Sequence, residues 1–258
     1  MLKSGKYLLV ALCLSALVSV KGQRYTTANA HSHNDYEQHV PFYKAWENGF
    51  GSIEADVFLV DANLIVAHDS SELKSGRTLD SLYLVPLRRC IEKNGGFVYA
   101  DKTRALQLMI DIKSEAGSTL DRLVEVLNGY TALINSSSLR IVISGNRPAA
   151  SQFALYPSWI FFDGDFRINY SRLALERVQM FSDNFARYSS WDGTGNISAE
   201  DKKQLLRMIS FSHRMGKKIR FWNAPDTPEA WRTFIGLEVD YINTDKIEGL
   251  ARFLSSSP

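Results

Sequence analysis

Cysteine is scarce: the 258 residues contain only Cys13 and Cys90. Cys13 falls in a leader-like segment, so no internal disulfide is expected and stability must come from an apolar core. Cys90, on the predicted helical stretch Leu82 to Ile91, reads as a core filler rather than a nucleophile. An excess of charge of one sign is also lacking, since 30 Lys and Arg stand against 28 Asp and Glu. Without a basic block to displace counterions, nucleic acid is not an expected partner. The sequence has no glycine-rich phosphate turn after its first strand candidate and no Pro/Gly/Ser linker, which argues against a dinucleotide-binding sheet and against several domains. It has one long apolar run, Tyr7 to Val20, which is short of the roughly 20 residues that span a bilayer.

That run follows Lys3 and Lys6 and ends at Val20-Lys21-Gly22, the layout of a secretory signal. Residues 1–22 are therefore expected to be a signal peptide and residues 23–258 a single domain, secreted or periplasmic, with no stable membrane anchor. A hydrophobic content of 45% supplies one sizeable core.

Short β-branched or aromatic runs recur near Thr27 to His31, Ser52 to Leu59, Leu106 to Ile112, Leu139 to Ile143, Trp159 to Phe162, Gln179 to Ser182, Lys218 to Trp222 and Tyr241 to Asn243. Helical spacing fills most of the gaps, clearest over Val40 to Glu47, Leu120 to Leu127, Ala199 to Met215 and Pro228 to Phe234. Ser198 and Asp201 are placed as a helix cap. Eight strands alternating with helices in one domain predict an α/β fold of the closed (β/α)8 TIM-barrel type rather than an open sheet.

Each predicted strand ends in groups that a core would not select, from His31 and the Glu54-Asp56 pair to Asp111, Asp163, Asp183 and Asn243. In a barrel these ends converge on one mouth. Along Ser52-Ile53-Glu54-Ala55-Asp56-Val57 the period of two turns Glu54 and Asp56 to one face and Ile53, Ala55 and Val57 to the other. Adjacent carboxylates repel, and a divalent metal removes the conflict. Asp111 is the candidate third oxygen ligand, with Lys113 on its face; Lys113 could equally form a structural ion pair. Three carboxylates without cysteine favour a hard ion, magnesium or calcium, over zinc. His31 and His68 bracket the carboxylate pair in sequence, as an acid and a base for phosphodiester cleavage would. His39 and His213 read as structural. Tyr36, Phe42 and Trp46 could line the mouth or fill the core.

Taken in order, His31, Glu54-x-Asp56, His68-Asp69, Asp111-Ile112-Lys113, Phe221-Trp222-Asn223 and Tyr241-Ile242-Asn243-Thr244-Asp245 form a familiar series. It resembles the glycerophosphodiester phosphodiesterase and phosphatidylinositol-specific phospholipase-C-like superfamily, from about Ala30 to Leu254 and most strongly over Ala30 to Asp69. The resemblance implies a (β/α)8 barrel and a phosphoric diester hydrolase. It implies that Glu54, Asp56 and Asp111 hold one divalent cation, that His31 and His68 are the acid and base, and that Lys113 neutralises a phosphate oxygen. Asp69 would orient His68, and Asn34, Trp222 and Asn223 would lie on the substrate side. The opening His31-Ser32-His33-Asn34-Asp35-Tyr36 replaces the His-Arg-Gly of typical glycerophosphodiesterases and is closer to a bacterial and fungal subgroup with a His-Ser-His-Asn-Asp-Tyr signature. The His31-x-x-Asn34 pattern and Asp at 111 also resemble the sphingomyelinase D branch. His31 is preferred to His33 because it directly follows the first predicted strand.

The expected reaction is in-line displacement at a small-molecule or lipid phosphodiester, through a cyclic phosphate where a vicinal hydroxyl attacks. Two rivals stand beside it: a non-catalytic lipid- or glycan-binding barrel with a degenerate site, and a zinc amidohydrolase-like enzyme using His31 and His33. The second leaves Glu54 and Asp56 without a role. The motifs specify neither the head group nor an oligomeric state.

Overall fold

Two apolar faces per strand, one turned to a barrel axis and one to a coat of helices, explain the near-continuous hydrophobic runs of this sequence. The computed structural model describes residues 25–256, so the expected signal peptide lies outside the described residues. The strands are β1 (Ala30–Ser32), β2 (Ser52–Val60), β3 (Asn63–Val66), β4 (Leu106–Ile112), β5 (Leu139–Gly145), β6 (Ile160–Gly164), β7 (Val178–Asn184), β8 (Lys218–Trp222) and β9 (Ile242–Thr244). All but β3 are parallel and lie in the order β8-β7-β6-β5-β4-β2-β1-β9. A parallel bridge from Arg220 to Tyr241 joins the two ends, giving the expected eight-stranded barrel.

The helices are α1 (Tyr43–Glu47), α2 (Val85–Lys93), α3 (Ala116–Asn128), α4 (Thr131–Ile134), α5 (Arg172–Glu176), α6 (Ala199–Arg214), α7 (Pro228–Gly236) and α8 (Ile247–Ser256). Side-chain caps start the crossover helices. Glu115 accepts from the amides of Gly117 and Ser118 before α3, Ser198 from Asp201 before α6, and Thr227 from Ala230 before α7, where Pro228 pre-sets the first turn. Among the described residues no helix is long and apolar enough to cross a membrane.

Inside the ring Met109, Val142, Met180 and Tyr241 pack together against Phe161 and fill the barrel axis. The larger core lies between sheet and helices, and takes in Phe42, Trp46 and Cys90. Phe42 and Trp46 therefore belong to the core, where Trp46 stacks on Tyr99. Cys90 is a buried free thiol pushed up to about 11 by burial, as suits a filler.

Two departures from expectation matter for the site. The first strand begins later than its apolar pattern suggests, because residues Thr27–Asn29 form a 3-10 turn capped by the Thr26 hydroxyl. β1 therefore ends at Ser32, not His31. The second is a hairpin. β2 overruns the barrel, turns at Asp61 and Ala62, both at positive φ, and returns as antiparallel β3 with Val57 opposite Val66.

Candidate active site

Register decides which side chains reach the mouth. Met109 faces the barrel axis, so Asp111, two residues on, faces the same way one layer higher, opposite Asp56 on β2 and Ser144 on β5. Glu54 lies one layer below Asp56, while Ile53, Ala55 and Val57 on the other face are fully buried. Above this layer is a cavity of about 370 Å3, lined among others by His33, Asn34, Glu54, Asp56, His68, Asp111, Lys113 and Trp222. Most of the residues expected at the site thus meet in one place, although they are scattered along the chain.

Each acid has a cationic neighbour. Lys113 Nζ lies 2.9 Å from Asp56 Oδ2 and 2.5 Å from Asp111 Oδ2, and these two carboxylates raise its pKa despite burial. Asp111 also accepts from the Ser144 hydroxyl. Asp56 is pushed up to about 6 by burial and by the charges of Glu54 and Asp111, which Lys113 offsets only in part. Glu54 is buried yet held well below the usual carboxylate range by Arg220, whose Nη1 lies 3.0 Å from Oε2. Arg220 was not expected from the sequence. It shares the inward face of β8 with Lys218 and Trp222, and an arginine midway along a buried strand is the signal that could have exposed it.

The histidines divide differently from expectation. His31 is fully buried: Nδ1 lies 2.7 Å from Ser52 Oγ, and Nε2 meets Arg220 Nη1 and lies 3.0 Å from Glu54 Oε2. Burial first, then the neighbouring guanidinium, lowers it to about 3, so the ring is neutral. Both nitrogens of His31, expected as one half of the acid–base pair, are occupied and no edge of its ring is accessible, so the structure does not bring it into the cavity. His33 stands at the mouth instead. It lines the cavity, and its Nδ1 donates to Asp245 Oδ1 at 2.8 Å. Burial lowers its pKa, but the hydrogen bond to Asp245 and the charge of Glu54 outweigh this, and the net shift is upward.

His68 lies on the other flank, with Nδ1 3.1 Å from the Tyr36 hydroxyl and 3.5 Å from Asp56 Oδ2. The Tyr36 hydroxyl donates to Asp56 at 2.9 Å and so accepts from His68 Nδ1–H, which leaves the lone pair on Nε2. Asp69 does not orient His68: its carboxylate accepts from the Ser71 amide and hydroxyl and caps the turn Ser70–Glu72. Tyr36 performs that orienting role. Asn34 lies beside the same hydroxyl at 3.1 Å. Trp222 is partly exposed at the rim, whereas Asn223 is turned aside at positive φ and donates to Asn184.

Three carboxylates line one cavity, the donor chemistry of a hard cation, and burial together with the charges of Glu54 and Asp111 keeps Asp56 easy to protonate. Among the described residues, however, no group of three or more His, Cys, Asp or Glu side chains is arranged to hold a metal ion. Lys113 bridges two of the three acids and Arg220 holds the third.

Comparison with known proteins follows the same lines. Residues 23–139 match the family described as AIM6-like phosphodiesterase domain, and residues 218–248 match the glycerophosphoryl diester phosphodiesterase family. Through these two partial matches the chain is similar to phosphodiesterase families in its first half and near its last strands. Among relatives, "Altered inheritance of mitochondria protein 6" of Kluyveromyces lactis is 26% identical over 300 residues, covering 87% of this chain and 72% of the relative. The "Altered inheritance of mitochondria protein 6 homolog" of Arthroderma benhamiae is 27% identical over 84% of this chain and 81% of the relative. The crystal structure of a glycerophosphodiester phosphodiesterase from Parabacteroides distasonis shares the fold, with a TM-score of 0.55, 16% identity, and coverage of 88% of this chain and 97% of that one. The first family match contains both cavity histidines and all three acids; the second contains Arg220 and Trp222.

Proposed function

We propose that this chain is a phosphoric diester hydrolase acting on a glycerophosphodiester or phospholipid head-group phosphodiester, secreted or periplasmic once residues 1–22 are removed. The observation that carries this reading is the pair of cavity-facing histidines, each held through Nδ1, beside the acid–lysine cluster. His33 is biased toward its cationic form by Asp245, with Nδ1–H fixed on that carboxylate, so Nε2–H is the proton available to a leaving alcohol. His68 is fixed by Tyr36 with its Nε2 lone pair free, the state required to take a proton from the attacking hydroxyl or water. Lys113 supplies positive charge beside the phosphoryl oxygens.

Glu54, Asp56 and Asp111 would hold a divalent cation, magnesium or calcium. When bound, it supplies further charge to a nonbridging oxygen and lowers the pKa of a coordinated hydroxyl. Trp222 and Asn34, both on the cavity wall, position the head group.

The test is turnover by the protein lacking residues 1–22 against glycerophospho-, inositol- and choline-phosphodiesters, before and after chelation and with magnesium or calcium restored. Hydrolysis lost on chelation and regained with one ion is the expected result. Binding without turnover across the series would instead identify a head-group-binding barrel, and activity that survives chelation would remove the cation.

A further inference from the structure

The cavity has a second wall, which the mechanism above does not use. Three neighbouring strands, β5, β6 and β7, are each followed by an arginine that lines the cavity: Arg147, Arg167 and Arg187. Each is fixed by a carboxylate from the same strand ends. Arg147 donates to the Asp163 carbonyl at 2.7 Å and lies 3.6 Å from its carboxylate. Arg167 forks onto Asp165 through Nε and Nη2, and Arg187 Nη1 meets Asp183 at 2.8 Å.

The pairs are neutral in sum but not in presentation. The carboxylate side chains are 4%, 17% and 12% exposed, whereas their guanidinium partners are 20%, 71% and 46% exposed. The charge that reaches the open space is therefore positive. The acids hold the forks rather than cancel them, and each planar guanidinium keeps N–H groups for a further acceptor. Two buried polar atoms of cavity-lining residues, Asp163 Oδ1 and Arg220 Nε, lack a partner among the described residues.

We infer that Arg147, Arg167 and Arg187 form a subsite for a second anionic group on the substrate, a phosphomonoester or a carboxylate, carried on the alcohol distal to the scissile phosphodiester. The placement rests on the hydrolase reading above, which puts the scissile phosphate at the opposite wall near Lys113, His33 and His68. A cavity of about 370 Å3 holds a small diester of this kind with one charged end at each wall.

The matched substrates are glycerophosphoglycerol and the same diester with its terminal hydroxyl phosphorylated, with a third that ends in a carboxylate to separate the two anion types. The expected result is a kcat/KM at least about tenfold higher for the phosphorylated diester at low salt, shrinking as ionic strength rises. The double variant Arg167→Gln/Arg187→Gln should bring the ratio of the two kcat/KM values close to one, with an unchanged thermal midpoint. Equal kcat/KM for all three diesters, or a preference that the double variant retains, overturns the inference while leaving the hydrolase reading in place. Calorimetric titration with the same diesters reports independently of turnover. Tighter binding of the charged diesters that the double variant loses upholds the subsite even where no diester is cleaved, and equal binding overturns it.

Discussion

Replacing Arg220 with methionine tests the electrostatics under the mouth most directly. The guanidinium and the Glu54 carboxylate are both buried and lie 3.0 Å apart, with His31 against the same nitrogen. Removing one partner of a buried pair leaves the other charge uncompensated, at a cost of about 3–5 kcal/mol. For a domain of this size that lowers the thermal midpoint by roughly 6–20 °C. The pH dependence should also change sign. In the wild type Arg220 holds Glu54 below its ordinary 4.5, so this group's contribution to stability is present above that value and is lost as pH falls through the lower folded one. In Arg220→Met, burial outweighs the remaining pull of His31 and His33, and the folded state takes up a proton more readily than the unfolded state, whether on Glu54 or on the adjacent His31. Stability then rises as pH falls from 7 toward 5. The assay is urea denaturation at pH 7 and pH 5, in chelator, for the wild type, Arg220→Met and Arg220→Met/Glu54→Gln. The double variant should recover most of the loss because no lone charge remains. A single variant within about 1 kcal/mol of wild type at pH 7, or one with the wild-type pH slope, would refute the reasoning.

Three further outcomes follow from the same geometry. His33→Gln should lower kcat by about 10²–10⁴ with little change in thermal midpoint, whereas His31→Gln should destabilise by about 1–3 kcal/mol through its buried hydrogen bonds; a stable but inactive His31 variant beside an active His33 variant would return the role to His31. Gly145→Ala should cost about 1–3 kcal/mol and impair turnover, since Gly145 sits at φ +67° and an added Cβ would lie 2.5 Å from the Ile112 carbonyl and 2.8 Å from Asp111 Oδ1; denaturation and steady-state kinetics read both effects. Asp163 is pushed up to about 6 by burial, which Arg147 and Arg220 offset only in part, so ionising it costs stability as pH rises from about 4 to about 6; Asp163→Asn should stabilise the fold by up to about 3 kcal/mol at pH 7, with the gain fading toward pH 4 in denaturant melts.

The barrel was legible because alternation of strands and helices is a long-range pattern, and an error of a few residues at any boundary leaves it intact. Leu106–Ile112 and Lys218–Trp222 fall where their apolar runs place them. Glu54 and Asp56 were legible for a local reason, since a period of two leaves no choice about their shared face. Which of His31 and His33 reaches the cavity was not legible, because it turned on one strand end. The apolar run from Thr27 suggested a strand closing at His31, but the Thr26 cap winds the first three of those residues into a turn and shifts the end to Ser32. Asp69 looked like a partner of His68 because it is adjacent, yet backbone direction turns its carboxylate onto the next turn. Arg220 and the three arginines after β5, β6 and β7 carry no motif of their own. What they do depends on which strands become neighbours, and spacing along the chain does not encode that.

The β2–β3 hairpin has a consequence of its own. His68 is delivered to Asp56 by antiparallel pairing within a single short excursion, and not by the closure of the ring that brings in every other cavity residue. The excursion works as a ruler whose graduations are cross-strand pairs. Lengthening the crossovers elsewhere leaves its calibration untouched, whereas one residue added at Asp61 or Ala62 slides the scale and turns the imidazole to the wrong side. The spacing between the carboxylate and its histidine is thereby uncoupled from the size of the barrel's other loops, which are free to diversify.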